Sequence, residues 1–419
     1  MNGTLILFTN TYPFGKGEEF IETEIPVIAE RFDRVCIIAT QVAPDAAQTR
    51  AVPNNVDAHA IRTPQQSMRD RLTFLGRGLP AMLRSATGRR RALEGFPHPK
   101  RWAASAFFEA RAQYVWSRAK PIVADISRTG ADVTVYSFWL HLTARVGELA
   151  RDLLRAQRPG QSVRFISRAH NYDLYHEPSP MGFLPQRRPL LRALDAVYPV
   201  SQAGVDYLVD RYPEAASKIS VQRLGSREPV PAPLVSRERC YVTSCSYAVP
   251  VKRLTRFPAI VEALAERGVP VTWTHIGGGP ELDAVRAEVE RVIQRAEVKL
   301  VGHVDNATIF DTYAATPTTM LVNLSTTEGL PVSMMEAISG GIPIVATQVG
   351  GVAEIVRPGV SGQLIPADFT DAQAVEAIER YWNLDDAAYA DLSASARQLW
   401  EDEFRASTAY ERFAELLTS

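Results

Sequence analysis

Residues 321–366 read LVNLSTTEGLPVSMMEAISGGIPIVATQVGGVAEIVRPGVSGQLIP. The apolar run ending at Leu324-Ser325 has the composition of a buried strand. A polar turn follows and carries Glu328 and Gly329. Pro331 suits the first turn of a helix, where its missing N–H leaves no bond unmade. That helix is expected to run to about Ser339 and to stop at Gly340-Gly341. The next apolar run, Ile342–Ala346, reads as another strand. Continuous apolar strands alternating with helices imply a parallel sheet covered on both faces.

The same rhythm extends outward in both directions. In the second half, strands are expected at Tyr241–Ser246, Val271–Ile276, Val298–Val301 and Met320–Leu324. In the first half they are expected at Thr4–Thr9, Val35–Thr40, Val133–Phe138, Val163–Ser167 and Ala196–Val200. Helical patterns such as Glu18–Phe32 and His141–Gln157 lie between them. The stretch Ser226–Ser236, SREPVPAPLVS, has three prolines and reads as an extended linker. The expectation is therefore α/β: two Rossmann-like domains, 1–230 and 237–395, facing each other across a cleft. Ligands of open α/β sheets bind at the carboxyl ends of the strands. Residues 396–419, helical with aromatics at Trp400, Phe404, Tyr410 and Phe413, are expected to pack back on the first domain.

The 419 residues exceed one compact core, and 46% apolar content supplies two. A net charge of −1 argues against nucleic acid as a partner. The three cysteines, Cys36, Cys240 and Cys245, form no CxxC pair and read as buried packing residues in a reducing compartment. The Met1–Thr4 lead has no basic signal-peptide region, and no apolar run approaches a spanning helix. A cytoplasmic enzyme is expected, with peripheral attachment to a membrane left open.

The chemistry of the quoted stretch follows from its turns. Free N–H groups at the helix start, near Gly329 to Val332, suit an anion such as a pyrophosphate. Glu328 precedes that helix and Glu336 lies inside it. Carboxylates accept paired hydrogen bonds from vicinal hydroxyls, which a sugar and a ribose both present. Two glutamates eight apart are common by chance; the flanking glycines, prolines and strand ends give the pair its weight. The Gly350-Gly351 turn, with Glu354 soon after, offers a second anion cradle.

The pattern E-G-L-P-x4-E-A-x2-G-G-x-P-I-V-A-T, followed by G-G-x-x-E-I-V and G-x-L-I-P, resembles the E-x7-E region of the family 4 retaining glycosyltransferases (glycosyl transferases group 1, GT-B fold). The resemblance implies transfer of a sugar from a nucleotide-diphosphate donor to a hydroxyl acceptor, as in bacterial surface-glycan or glycoconjugate synthesis. It implies that Glu336 holds the ribose hydroxyls and that Glu328 sits against the transferred sugar. The backbone at Gly329 and Leu330 would hold sugar and phosphate, and Lys252 the diphosphate. Gly277-Gly278-Gly279-Pro280 resembles the family's turn after the second strand of this domain, with Gly278 beside the donor. The family places an arginine five residues before the lysine. Here Tyr247 stands there, and Arg253 is the alternative cation.

In the first half, which the resemblance makes the acceptor-side domain, Gly15 and Gly17 lie in PFGKGEE directly after the first strand, as an acceptor-side glycine loop that lets backbone approach a ligand. This opening resembles P-x-G-x-G-E-x-F-I-x-x-E-I of bacterial surface-polysaccharide transferases. His170 ends the strand Val163–Ser167, and the family commonly has a histidine there that contacts the transferred sugar. Asn171, Asp173 and His141 are further candidates. No DxD pair occurs, so no metal and no other cofactor is expected. The resemblance also implies retention of the anomeric configuration. Alternatives are a sugar-nucleotide epimerase on the same fold and a catalytically silent sugar-nucleotide-binding partner. Finally, residues 62–120 are strongly basic. Leu72, Phe74, Leu75, Leu79, Met82 and Leu83 alternate with Arg69, Arg71, Arg77 and Arg84, a pattern suited either to an anionic membrane or to a helix packed on its domain.

Overall fold

The computed structural model describes residues 3–15, 17–63, 68–128, 131–229, 235–305 and 308–418. Residues 230–234 of the proline-rich stretch lie outside the described residues, as do the side chains of Arg69 and Arg71. The chain forms two compact units. Unit 1 comprises Met1–Gln222 with Tyr410–Ser419, and unit 2 comprises Arg223–Ala409.

Unit 1 is built on β1 (Thr4–Thr9), β2 (Arg34–Val42), β3 (Val56–Arg62), β4 (Val133–Ser137), β5 (Val163–Ala169) and β6 (Ala196–Pro199). They form one parallel sheet in the order β3-β2-β1-β4-β5-β6. Alternation along each strand divides the core between two faces. Ile6, Phe8, Cys36 and Ile38 pack with Val115 and Phe165 on one. Leu5, Leu7, Val35 and Ile37 pack with Ile25, Ile28 and Phe413 on the other. Phe413 comes from the last helix, Ala406–Thr418, and the guanidinium of Arg168 lies 3.9 Å from its ring centre. The Thr134 hydroxyl donates to the Leu417 carbonyl at 3.1 Å, so the chain's last turns close this face of the sheet.

Unit 2 repeats the plan with β7 (Cys240–Cys245), β8 (Val271–Ile276), β9 (Glu297–Gly302), β10 (Met320–Asn323), β11 (Ile344–Thr347) and β12 (Gly362–Ile365). Its order is β12-β11-β10-β7-β8-β9, again all parallel. In each sheet the first and fourth strands are neighbours. The chain leaves the first strand toward one edge, then returns to its other side. The loops after those two strands diverge there and open a crevice at their carboxyl ends. Trp273, fully buried and stacked on Phe257 at 4.8 Å, anchors the unit 2 core.

Two strands escaped the sequence pattern, and both are edge strands. β3 reads VDAHAIR with only Val56 and Ile61 buried, and β12 reads GQLI with only its ends buried. An edge strand needs less apolar surface than a central one. The second unit also begins earlier than the prolines suggest. The Ser226 N–H donates to the Phe404 carbonyl at 2.9 Å, and Trp400 Nε1 donates to the Ser226 hydroxyl at 2.8 Å, tying this segment into unit 2. In the basic segment, the helix Met68–Arg84 contains Pro80 without ending there. Its apolar residues divide: Phe74 and Met82 are buried, whereas Leu72, Leu79 and Leu83 face solvent.

Candidate functional site

The unit 2 crevice assembles residues far apart in sequence. Lys252 ends the turn Pro250–Lys252 after β7, and Glu328 lies in the loop after β10. Lys252 Nζ meets Glu328 Oε1 at 2.6 Å. The same oxygen accepts from the Ser325 hydroxyl at 2.6 Å and from Asn323 Nδ2 at 3.1 Å. Asn323 in turn accepts from the Ser325 N–H at 2.9 Å. Glu328 is buried, and this set of donors compensates the desolvation of its charge. Asn323 and Ser325 were not singled out in the sequence. The only trace of them was polar residues at the end of an apolar strand.

The loops are stitched so that this cluster keeps its shape. The Thr326 N–H donates to the Val251 carbonyl at 2.8 Å, joining the Glu328 loop to the Lys252 turn. The Gly351 N–H donates to the Gly329 carbonyl at 2.9 Å. A side chain at Gly350 would bring its Cβ to 1.8 Å from the Glu328 carbonyl oxygen, so only glycine allows that approach. Gly350 thus serves backbone packing under Glu328. The helix it precedes, Val352–Ile355, is a single turn, and Glu354 pairs with Arg223 at 2.6 Å. The second anion cradle expected there is not built. Gly277 and Gly279 serve a similar purpose: a Cβ would lie 1.9 Å from the Ser246 carbonyl oxygen and 2.5 Å from that of Ala248. Gly278 sits between them against His303.

The helix expected after Pro331 is Val332–Ser339, with Pro331 as its N-cap residue. Among the described residues, the N–H groups of Gly329, Leu330, Val332 and Ser333 have no hydrogen-bond acceptor, as is usual for the first turn of a helix, and such groups suit an anion. Glu336 lies inside this helix and is buried without a hydrogen-bond partner among the described residues. Burial pushes its carboxyl up to about 8, opposed by the charge of Arg227. Burial likewise lifts Cys245 to about 12, with the Glu336 charge adding to it. Glu336 is therefore an acceptor with no partner of its own, as a diol-binding group would be. Lys252 and Glu328 are brought together. Arg253 is not part of that pair: Nη1 donates to the Ala367 carbonyl at 2.7 Å, and the guanidinium lies 5.6 Å from the Phe369 ring centre. Tyr247 is 62% exposed.

The corresponding end of unit 1 is lined differently. His170 follows β5 and is buried among rings: Trp139 at 4.4 Å, Phe138 at 4.6 Å and Phe20 at 6.2 Å. Among the described residues neither ring nitrogen has a hydrogen-bond partner; Asp173 Oδ2 lies 4.0 Å from Nδ1. Asp173 is committed to backbone, accepting from the N–H of His170 at 2.7 Å and of Leu140 at 2.6 Å. Despite burial, its bonds to the His170 segment and the charge of Arg187 hold its carboxyl below the usual range. His141 is lowered to about 4, by burial first and then by Arg187.

Gly15 and Gly17 lie in the loop after β1. The Thr49 hydroxyl donates to the Gly15 carbonyl at 3.0 Å, and Arg50 Nη1 to that of Gly17 at 2.7 Å. Glu18, next in sequence, holds that loop in place. Its carboxylate accepts from the N–H groups of Asn10, Thr11 and Tyr12 at 2.7–2.8 Å and from Trp139 Nε1 at 2.5 Å. Sequence reading took Glu18 as a helix start; periodicity gives no sign of a carboxylate folded back on a loop.

Known proteins resemble this chain in fold and, over part of its length, in sequence. Residues 233–399 match the model of the family described as glycosyl transferases group 1. The colanic acid biosynthesis glycosyltransferase WcaL of Escherichia coli (strain K12), so named provisionally, is 27% identical over 270 residues, covering 59% of this chain and 62% of that one. Sucrose-phosphate synthase from Thermosynechococcus elongatus superposes with a TM-score of 0.69 at 15% identity, covering 99% of this chain and 98% of that one. Anabaena Alr3699/HepE, solved in complex with UDP, gives a TM-score of 0.61 at 16% identity over 99% of each chain. Two parallel six-stranded sheets of one strand order give this chain the GT-B fold, its residues 233–399 match the group 1 glycosyl transferase domain, and the chain covers 62% of the length of WcaL.

Proposed function

We propose that this protein moves a sugar from a nucleoside-diphosphate donor to a hydroxyl acceptor, with retention and without a metal, in bacterial surface-glycan synthesis. The observation that carries the reading is the Lys252–Glu328 pair beside the N–H groups of Gly329, Leu330, Val332 and Ser333, which have no acceptor among the described residues. A diphosphate provides the negative charge that such N–H groups and Lys252 complement. Glu336, an acceptor without a partner, takes the ribose hydroxyls. In this reading Glu328, paired with Lys252 through one oxygen, serves the transferred sugar. That HepE was solved with UDP and with UDP-glucose, and that WcaL is named for colanic acid biosynthesis, supports the donor class and the setting.

In the proposed reaction the bond from the anomeric carbon to the donor phosphate oxygen breaks through an oxocarbenium-like state. The acceptor oxygen bonds to the same face of that carbon, and its proton passes to the departing diphosphate. Lys252 and the helix N–H groups stabilise the charge that develops on the diphosphate. His170 lies against the sugar. A thermal-shift panel of nucleotide sugars identifies the donor, because a ligand of the native state raises apparent stability by mass action. Proton NMR of the product then reads the anomer, and an inverted product rejects the mechanism. Donor consumed without acceptor would instead indicate an epimerase.

We also propose peripheral contact with an anionic membrane through the packed helices Met68–Arg84, Ala86–Ala92 and the start of Pro99–Ile126. Leu72, Leu83, Leu93, Phe96 and Trp102 are exposed there, interspersed with the exposed Arg84, Arg89 and Arg90. Apolar side chains set among arginines suit a surface of anionic headgroups. Among the described residues no helix is long and apolar enough to cross a membrane. Sedimentation with phosphatidylglycerol vesicles but not with phosphatidylcholine vesicles is expected; no sedimentation at low salt rejects the contact.

A further inference from the structure

Tyr172 is oriented against the usual habit of its residue type. An exposed tyrosine ordinarily keeps its ring against the protein and its hydroxyl in water. Here the hydroxyl is turned inward, where it accepts from Asn10 Nδ2 at 3.0 Å, yet the residue remains 49% exposed. Asn10 is itself fixed. Its Oδ1 accepts from Gln41 Nε2, and Gln41 Oε1 accepts from Arg111 Nη2. Its N–H donates to Glu18 Oε1 at 2.8 Å. Against the ring lies Trp139, its ring centre at 4.7 Å and held by its own bond to Glu18, and the steeply inclined His141 ring has its centre at 6.3 Å. Desolvation of the phenol end, together with the Asp173 charge, raises the Tyr172 hydroxyl well above its ordinary pKa, as a hydroxyl directed inward requires.

A ring held at its polar end and supported by Trp139 presents an apolar surface at a fixed position and angle. It stands two residues beyond His170, at the carboxyl end of the unit 1 sheet. The C–H face of a pyranose ring is flat, weakly positive and apolar, and it stacks on the electron-rich face of an aromatic. Its hydroxyls point outward around the rim. The polar groups beside Tyr172, namely Asn10, His141 and Arg111, are of the kind that bind such hydroxyls.

We propose that the exposed face of Tyr172 is an acceptor subsite, on which a pyranose ring of a glycan acceptor stacks, with the Asn10–Gln41–Arg111 chain acting to position it. This rests on the glycosyl-transfer reading, and it adds the class of acceptor: a sugar ring, in contrast to a small acid or a lipid alcohol. A nucleobase is the competing occupant of an aromatic face. Here it is disfavoured because the group 1 domain and its diphosphate-binding features lie in unit 2.

The test is saturation-transfer NMR on the full chain with the methyl α- and β-pyranosides of glucose, galactose, mannose and fucose, and with uridine as the competing probe. Irradiation of aromatic protons is expected to saturate the ring C–H protons of at least one pyranoside. In Tyr172→Ala the effect should fall about tenfold, whereas Tyr172→Phe, which keeps the face and loses the bond to Asn10 that positions it, should lie between that variant and the unaltered chain. No saturation of any pyranoside overturns the proposal, as does equal saturation in Tyr172→Ala or an equal loss in Tyr172→Phe. Tyr172-dependent saturation of uridine overturns it in favour of a base. Circular dichroism checks the fold of both variants. UDP stabilisation is measured in parallel: its absence in the unaltered chain counts against the donor reading alone, whatever the pyranosides do.

Discussion

The two units share a strand order and a crevice position but are furnished with opposite chemistry. At the end of the unit 2 sheet stand Lys252, an anionic Glu328 satisfied on one oxygen, and a row of free N–H groups. At the end of the unit 1 sheet stand the rings of His170, Trp139 and Tyr172. The nearby carboxylates, Glu18 and Asp173, are committed to backbone N–H groups. The same topological opening is therefore lined with charge and free N–H groups in one unit and with rings in the other. Topology determines where a ligand can enter; the residues at the strand ends determine which one.

The strongest challenge to this contrast is Glu328→Ala. It leaves Lys252, Ser325 and Asn323 without their shared acceptor, so transfer should fall by about 100-fold or more, while the loss of stability stays near 1–3 kcal/mol. Steady-state kinetics beside urea denaturation separates the two effects. Unchanged transfer would remove Glu328 from the site. Next in size is Lys252→Ala, expected to weaken UDP binding about tenfold or more by calorimetry. Equal binding would mean that the N–H groups alone carry the diphosphate.

Glu18→Ala examines the opposite unit. Three N–H groups and an indole lose their acceptor, at a cost of about 2–4 kcal/mol to unit 1, with UDP affinity unchanged. A loss of UDP affinity would show that the chemistry is not divided between the units as described. Glu336→Gln gives a smaller effect, dependent on pH. Burial raises the folded carboxyl from 4.5 to about 8. The fold thus accommodates the neutral form, and unfolding free energy should fall as pH rises from about 4.5 through about 8. The glutamine variant should flatten that slope in a series of thermal melts without ligand and still lose nucleotide affinity. A slope unchanged by the substitution would place the titrating group elsewhere. Arg253→Ala should do least, within about 0.5 kcal/mol of stability and with UDP binding intact. A loss matching that of Lys252→Ala would return Arg253 to the diphosphate.

What the sequence disclosed follows burial. Thr4–Thr9 and Val271–Ile276 are covered on both faces, so their apolar runs mark them at full length. The edge strands Val56–Arg62 and Gly362–Ile365 need no such run and left no comparable mark. At the site, turn chemistry revealed the helix start at Pro331. The meeting of Lys252 with Glu328 spans 76 positions, and no spacing rule could supply it; resemblance to a family did. The inward hydroxyl of Tyr172 and the loop held by Glu18 are matters of side-chain direction, which a residue's type and position do not encode alone.

Unit 2 is one continuous stretch of chain, whereas unit 1 is completed by Tyr410–Ser419, with Phe413 and Leu417 buried against its sheet. During synthesis, the ribosome releases all of unit 2 before it releases the segment that completes unit 1. The first unit to emerge is therefore the last to reach its final packing, with part of its sheet uncovered in the interval. A nascent chain arrested before Phe413 should already bind a nucleotide, yet its amino-terminal half should remain the part a chaperone still holds.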